Sequence, residues 1–213
     1  VQPTVQVASA AAWEHLGMSM LVNQIQMLDW REIESGIGIA DVPNGCSLYN
    51  FISRQWNNSD LRLSQIKLVD SPLIQDAFCG MLGALRSGID PSNPLLNPPP
   101  PADDEYQAGL AKLESAFCSK GSGVPENVNL LLCWHGTGVD AALPVLQSGP
   151  RPLRTTDGGF FGVGPYVSLE SSYAAKYSMW NPPNANGEYM CILFVAVVGL
   201  TYVITQGRDY TGK

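Results

Sequence analysis

The chain has 213 residues, 45% of them hydrophobic, and its nineteen acidic and twelve basic side chains give a net charge of −7. That length allows one good core, or one core with a small accessory piece. The acidic balance works against a broad phosphate-backbone surface, and so against a dedicated nucleic-acid binder.

In chain order, residues 1 to about 30 hold Ala8 to Trp13 and Met18 to Met27, mostly good helix formers with apolar residues recurring at three and four. His15 lies in this amphipathic stretch and reads as a surface or packing histidine. From Ser35 to Asn58, glycines, Pro43-Asn44-Gly45 and Asn57-Asn58-Ser59 mark loops around a short segment, Leu48 to Ile52. Residues 1–60 are therefore expected to be a partly helical N-terminal extension, in the manner of an accessory layer.

From Leu61 to Val69 the pattern alternates as a strand does, and it ends at Asp70-Ser71-Pro72, where a capping side chain and a first-turn proline can open a helix. Leu73, Ile74, Ala77, Phe78, Met81, Leu82 and Leu85 share one helical face. Asn97 to Pro101 cannot continue a helix and reads as a surface insertion, with a proline-motif ligand for a partner domain as the sharper alternative. Asp103-Asp104-Glu105 opens a second helix to about Cys118, with acids where the helix dipole favours them. Gly121-Ser122-Gly123 then returns the chain to an apolar run, Leu130 to Trp134, which reads as a buried strand.

His135-Gly136-Thr137-Gly138 follows directly, and brings an imidazole, a hydroxyl and two bare backbone units to one point. Some way on, Gly158-Gly159-Phe160-Phe161-Gly162-Val163-Gly164-Pro165-Tyr166-Val167-Ser168 is a glycine-rich loop running into a second short strand. Ser172-Tyr173-Ala174-Ala175-Lys176-Tyr177 comes next, and Tyr189 to Val198 forms a late apolar strand. The five cysteines, Cys46, Cys79, Cys118, Cys133 and Cys191, lack metal-ligand spacing and are expected as free thiols in a reducing compartment. No run spans a bilayer and the N-terminus lacks a signal-peptide pattern. An intracellular protein, cytoplasmic or nuclear and without a membrane partner, is the expectation.

Taken together, the strand ending in His135-Gly136-Thr137, the Gly162-x-Gly164-x-Tyr166 strand and the helix carrying Tyr177 eleven residues later resemble the catalytic core of the poly(ADP-ribose) polymerase-like ADP-ribosyltransferases, the diphtheria-toxin-like His-Tyr-Glu class. The resemblance runs from about Leu61 to about Thr205. It implies an α+β ADP-ribosyltransferase fold, with two packed, mainly antiparallel sheets and flanking helices, over residues 61–213. It also implies an enzyme that cleaves the nicotinamide-ribose bond of NAD and transfers ADP-ribose to an acceptor, a protein most readily, with NAD as substrate and no metal.

Carried over by position, His135 would bond a ribose hydroxyl. Gly136 would pair its backbone with the nicotinamide carboxamide, and Tyr166 and Tyr177 would sandwich the ring. His135 and Tyr166 stand as the catalytic residues. Thr137 could add a hydroxyl near the adenosine side. The loop from Gln147 to Phe161 would lie over the dinucleotide, with Arg151 and Arg154 offered to its pyrophosphate on grounds of charge alone.

Two positions depart from the family. Where many relatives have a serine bonded to the carboxamide this chain has Ala174, with Ser172 nearby. After Tyr177 the only acids are Glu188 and Asp209, so the expected catalytic region ends before the strand that carries the family's glutamate. Mono- rather than poly-ADP-ribosylation is the activity this implies. A binding module for NAD or ADP-ribose with the same fold is the alternative, and an NAD-consuming RNA phosphate-removing transferase is a third reading that the acidic balance disfavours. Read without the resemblance, His135 is a satisfied strand-end histidine and Gly158 to Gly164 a turn-rich hairpin. Tyr173 and Tyr177 share a helical face one turn apart, so either could then be core.

Overall fold

The computed structural model describes residues 3–7, 13, 15–34, 36–88, 104–118, 120–121, 124–126, 128–150 and 164–199. Among them the chain is a mixed α+β structure. Six strands, β1 (Pro3–Val7), β2 (Arg31–Glu34), β3 (Ile37–Asp41), β4 (Gln65–Asp70), β5 (Asn129–Thr137) and β6 (Tyr189–Val198), are interspersed with six helices. The helices are α1 (Ser19–Gln26), α2 (Ser47–Gln55), α3 (Pro72–Gly88), α4 (Asp104–Ala116), α5 (Val139–Ser148) and α6 (Ser171–Met179).

The strands form one sheet in the order β2-β3-β4-β1-β6-β5. Two antiparallel groups are present, β2-β3-β4 and β5-β6, and among the described residues they belong to one sheet where two were expected. Strand β1 pairs in parallel with β4 on one side and with β6 on the other, joining the groups edge to edge. A short strand flanked on both sides by distant segments is invisible to local periodicity, because its partners lie some 60 and 190 residues away in the register Val5↔Ile66 and Val5↔Cys191.

Strand alternation divides the core. Side chains at successive positions point to opposite faces, so Cys191, Leu193 and Val195 join one cluster with Ile66, Leu68, Leu130 and Trp134. Ile192 joins the other, with Ile37, Ile39, Val69 and Leu146. The larger cluster also contains Trp13, Leu16, Ile25, Leu48 and Ile52, all 1% exposed or less. Residue 61 therefore marks no separate core: α1 and α2 pack into the same interior as β5.

Several elements differ from their sequence reading. The apolar face expected over 73–85 forms α3, and the acid-led helix forms α4. Leu48 to Ile52 lies inside helix α2, whose first turn is capped by Cys46, its sulfur accepting from the Tyr49 amide at 3.3 Å. Strand β3 falls in the stretch from Ser35 to Asn58 read mainly as loop, β2 falls just before it where no element was expected, and α5 was not anticipated at all. The strand expected around Tyr166 is reduced, among the described residues, to a single antiparallel bridge between Ser168 and Trp134. The proline-rich insertion at 97–101 lies outside the described residues.

Candidate functional site

Strand β5 does not stop before the histidine. It continues through His135-Gly136-Thr137, which pair with Ile192, Cys191 and Met190 of β6. The motif thus sits on the last rungs of an edge strand and inherits the rigidity of the ladder. On the other edge of β5, the Trp134 amide donates to the Ser168 carbonyl at 2.7 Å and the Ser168 amide donates back at 2.8 Å. That bridge positions Tyr166, whose carbonyl accepts from His135 Nδ1 at 2.9 Å. A carbonyl can only accept, so Nδ1 carries the proton, and in the neutral ring Nε2 is left as an acceptor. The residue that follows the glycine-rich loop therefore fixes the tautomer of the histidine.

Gly136 is tightly enclosed. A Cβ built on it would collide with the Ala174 carbonyl oxygen and would lie 2.7 Å from the Ala174 carbonyl carbon and 2.9 Å from Ser178 Oγ. The glycine is thus needed first for α6 to lie on β5, whatever its backbone also offers a ligand. Gly138 admits the Asn181 side chain in the same way, with a built Cβ 2.9 Å from Oδ1. Helix α6 is anchored from its other end by fully buried Ser171, which donates to Asn57 Oδ1 at 2.6 Å and accepts from the Asn57 amide at 2.9 Å. Ser178, 1% exposed, donates to the Met190 carbonyl at 2.5 Å.

Between these elements is a cleft of about 480 Å³, within the range of small-molecule sites. His135, Gly136, Thr137 and Gly138 form its floor, Ala141 and Val145 of α5 one wall, and Gly164 to Ser168 another. Tyr173, Ala174 and Tyr177 of α6, with Trp180 and Asn181 just beyond it, line it as well. His135, Gly136, Thr137, Tyr166 and Tyr177 are therefore gathered around one cavity. Tyr173 lines it as well and is 49% exposed, so it is not core. Its hydroxyl is 3.0 Å from that of Tyr177.

Ser172 does not line the cleft; its amide donates to Asn57 Oδ1 at 3.4 Å. Arg154, Arg151, Phe160, Phe161 and Asp209 lie outside the described residues. Glu188 heads β6, where its carboxylate accepts from Ser64 Oγ at 3.0 Å and Asn184 Nδ2 at 2.9 Å. It does not line the cleft, and among the described residues no acidic side chain does. Trp180 and Asn181 were missed. Their signal was present, since Trp180 follows Tyr173 by seven residues and Tyr177 by three, on the same helical face.

The thiols offer no nucleophile here. Burial pushes Cys133 up to about 12, with Cys118 adding to the shift, and pushes Cys191 up to about 11. Both are neutral at physiological pH. Among the described residues no group of three or more histidine, cysteine or acidic side chains could hold a metal ion, and no helix is long and apolar enough to cross a membrane. No protein-family model matches the chain, and no curated protein matches it at a significant level.

Proposed function

We propose that this chain is the catalytic region of an NAD-dependent ADP-ribosyltransferase of mono-transferring type, with an ADP-ribosyltransferase fold built on the sheet described above. One observation carries the reading. The imidazole of His135, the backbone of Gly136 and the rings of Tyr166 and Tyr177 come from three separate segments and meet at one cleft, with His135 held by Tyr166.

In this reading His135 Nε2 accepts a hydrogen bond from a ribose hydroxyl, and Tyr166 and Tyr177 hold the nicotinamide ring. The reaction breaks the bond from ribose carbon to ring nitrogen. The electron pair goes to nitrogen and neutral nicotinamide leaves, while the acceptor's nucleophile bonds to the carbon and gives up its proton to solvent. The transition state is oxocarbenium-like, so holding the leaving group rigidly contributes more than a strong acid would. A protein side chain is the acceptor we favour, because the −7 charge disfavours a polyanion.

A second reading is supported by the absence of any acidic group among the described cleft-lining residues. On this view the fold binds NAD or ADP-ribose and turns it over slightly or not at all. Labelled NAD tests both. Transfer of label to protein that is lost in His135→Ala and Tyr166→Ala supports the enzyme, and calorimetric binding without transfer supports the module. Full transfer retained in both variants rules the enzyme site out.

A further inference from the structure

Helix α6 carries Tyr173 and Tyr177 to the cleft, yet its own segment does not cap it. Glu170 occupies the N-cap position with extended backbone, φ −107° and ψ 116°, but makes no side-chain cap bond. Its carboxylate turns instead to Lys112 at 3.3 Å. The first amides of a helix have no partner within it, and here a partner comes from a distant part of the chain. Asn57 Oδ1 accepts from the Ser172 amide at 3.4 Å and from the Ser171 hydroxyl at 2.6 Å, while the Asn57 amide donates to that hydroxyl oxygen at 2.9 Å. Ser172 is the second residue of the helix, where a capping oxygen ordinarily bonds. The side-chain nitrogen of Asn57 takes part in none of these bonds, so the acceptor oxygen is what the helix uses.

Asn57 is itself held in place. Asn58 Oδ1 accepts from the amides of Asp60 at 2.8 Å and Leu61 at 3.1 Å, which tightens the loop that follows. On the other side, the Trp56 indole donates to the Leu61 carbonyl at 2.9 Å, and its ring meets Trp134 at 5.3 Å between centroids. Trp134 directly precedes His135. Residues 56 and 57 thus touch both the strand that carries the imidazole and the helix that carries the tyrosines, and they fix one against the other.

We infer that Asn57 caps α6 from outside its own segment and is a positioning residue for the cleft, so that part of the stretch expected to be an accessory extension belongs to the site. The cap stands on geometry alone; the ligand it serves rests on the proposed function, which puts NAD in the cleft. Removing the Asn57 oxygen frees the first turn of α6, and Tyr173 and Tyr177 lose their fixed distance from His135. A carboxylate at position 57 keeps the acceptor and adds a charge that the helix dipole favours.

The test uses the full chain with Asn57→Ala and Asn57→Asp. Amide hydrogen exchange in α6 is expected to quicken by between about twofold and thirtyfold in Asn57→Ala, the range for losing a helix cap, and to return to the wild-type rate in Asn57→Asp. Unchanged exchange in the alanine variant, or exchange as fast in the aspartate variant, overturns the cap. If the alanine variant does not fold, the aspartate variant still decides: wild-type protection supports the cap and lost protection overturns it. NAD titration well below the melting temperature tests the positioning, because a residue that only stabilises the fold leaves the affinity of folded protein unchanged. Affinity should fall in Asn57→Ala and recover in Asn57→Asp, and equal affinity in all three proteins overturns the positioning role. Wild-type protein that binds no NAD overturns that role together with the nicotinamide site, while exchange in α6 still decides the cap.

Discussion

Gly136→Ala tests the junction on which the cleft depends. The described glycines with left-handed backbone are Gly17, Gly36, Gly45, Gly149 and Gly187, and Gly136 is not among them. Alanine can adopt its backbone angles, and restricting the unfolded chain should by itself stabilise the protein by roughly 0.4–1 kcal/mol. Against that stands the new methyl group, which meets the Ala174 carbonyl, part of a helix backbone that cannot rotate away as a side chain could. Overpacking of this kind costs roughly 1–3 kcal/mol, and the upper end applies because α6 must move as a unit. A net loss of about 2 kcal/mol should lower the melting temperature by roughly 4–8 °C for a chain of this size. The displacement carries Tyr177 and Trp180 away from His135, so the NAD binding proposed above should fall together with stability.

Differential scanning calorimetry and NAD titration read the two effects. Gly80→Ala is the control: this glycine lies inside α3 with nothing within 4 Å of a built Cβ. Alanine there should stabilise by roughly 0.5–1 kcal/mol. If Gly136→Ala melts at the wild-type temperature and still binds NAD, the close packing of α6 on β5 is wrong.

Three further outcomes are expected. Ser171→Ala removes both hydrogen bonds to Asn57 and should cost about 1–3 kcal/mol in urea unfolding; a change below about 0.5 kcal/mol would show that α6 is anchored elsewhere. The Asp41 carboxyl is held below its ordinary range, first by its hydrogen bond from Lys67 at 2.7 Å, then by the charges of Lys67 and Arg31, with burial opposing the shift. Its stabilisation is therefore complete above the unfolded aspartate pKa of about 3.9 and is lost as pH falls through the lowered folded value. Asp41→Asn should thus cost under about 1 kcal/mol at pH 7, this being a partly exposed pair, and the gap to wild type should close in acid; a gap that stays constant to pH 2 contradicts this. In thiol labelling at neutral pH, exposed Cys79 should react first, and Cys133 and Cys191, each 1% exposed or less, only after denaturation, when all five become available. Fast native labelling of Cys133 or Cys191 would contradict their burial.

Local pattern was enough to find α3, α4, β6 and the start of β5, because each carries a period or a long apolar run that neighbouring residues alone can satisfy. It failed for β1, whose five residues become a strand only by pairing with β4 and β6. It also failed for α2, where Cys46 caps the helix in place of a more usual residue. Spacing placed Tyr166 and Tyr177 in one reading but left Tyr173 undecided between core and site, since both tyrosines sit on the same helical face. Ser172, nominated for its nearness in sequence to Ala174, sits one helical position away from the stripe that lines the cleft.

From the residue string alone came the identities of the imidazole, the glycine and the aromatic rings, together with their order and separations, since these are properties of the chain itself. The proton position on His135 came only from the tertiary structure, because it depends on a carbonyl 31 residues distant. The same holds for the enclosure of Gly136 by a helix backbone and for Trp180 at the cleft. Each of these arises where segments remote in sequence touch, and no local pattern contains the distance between them.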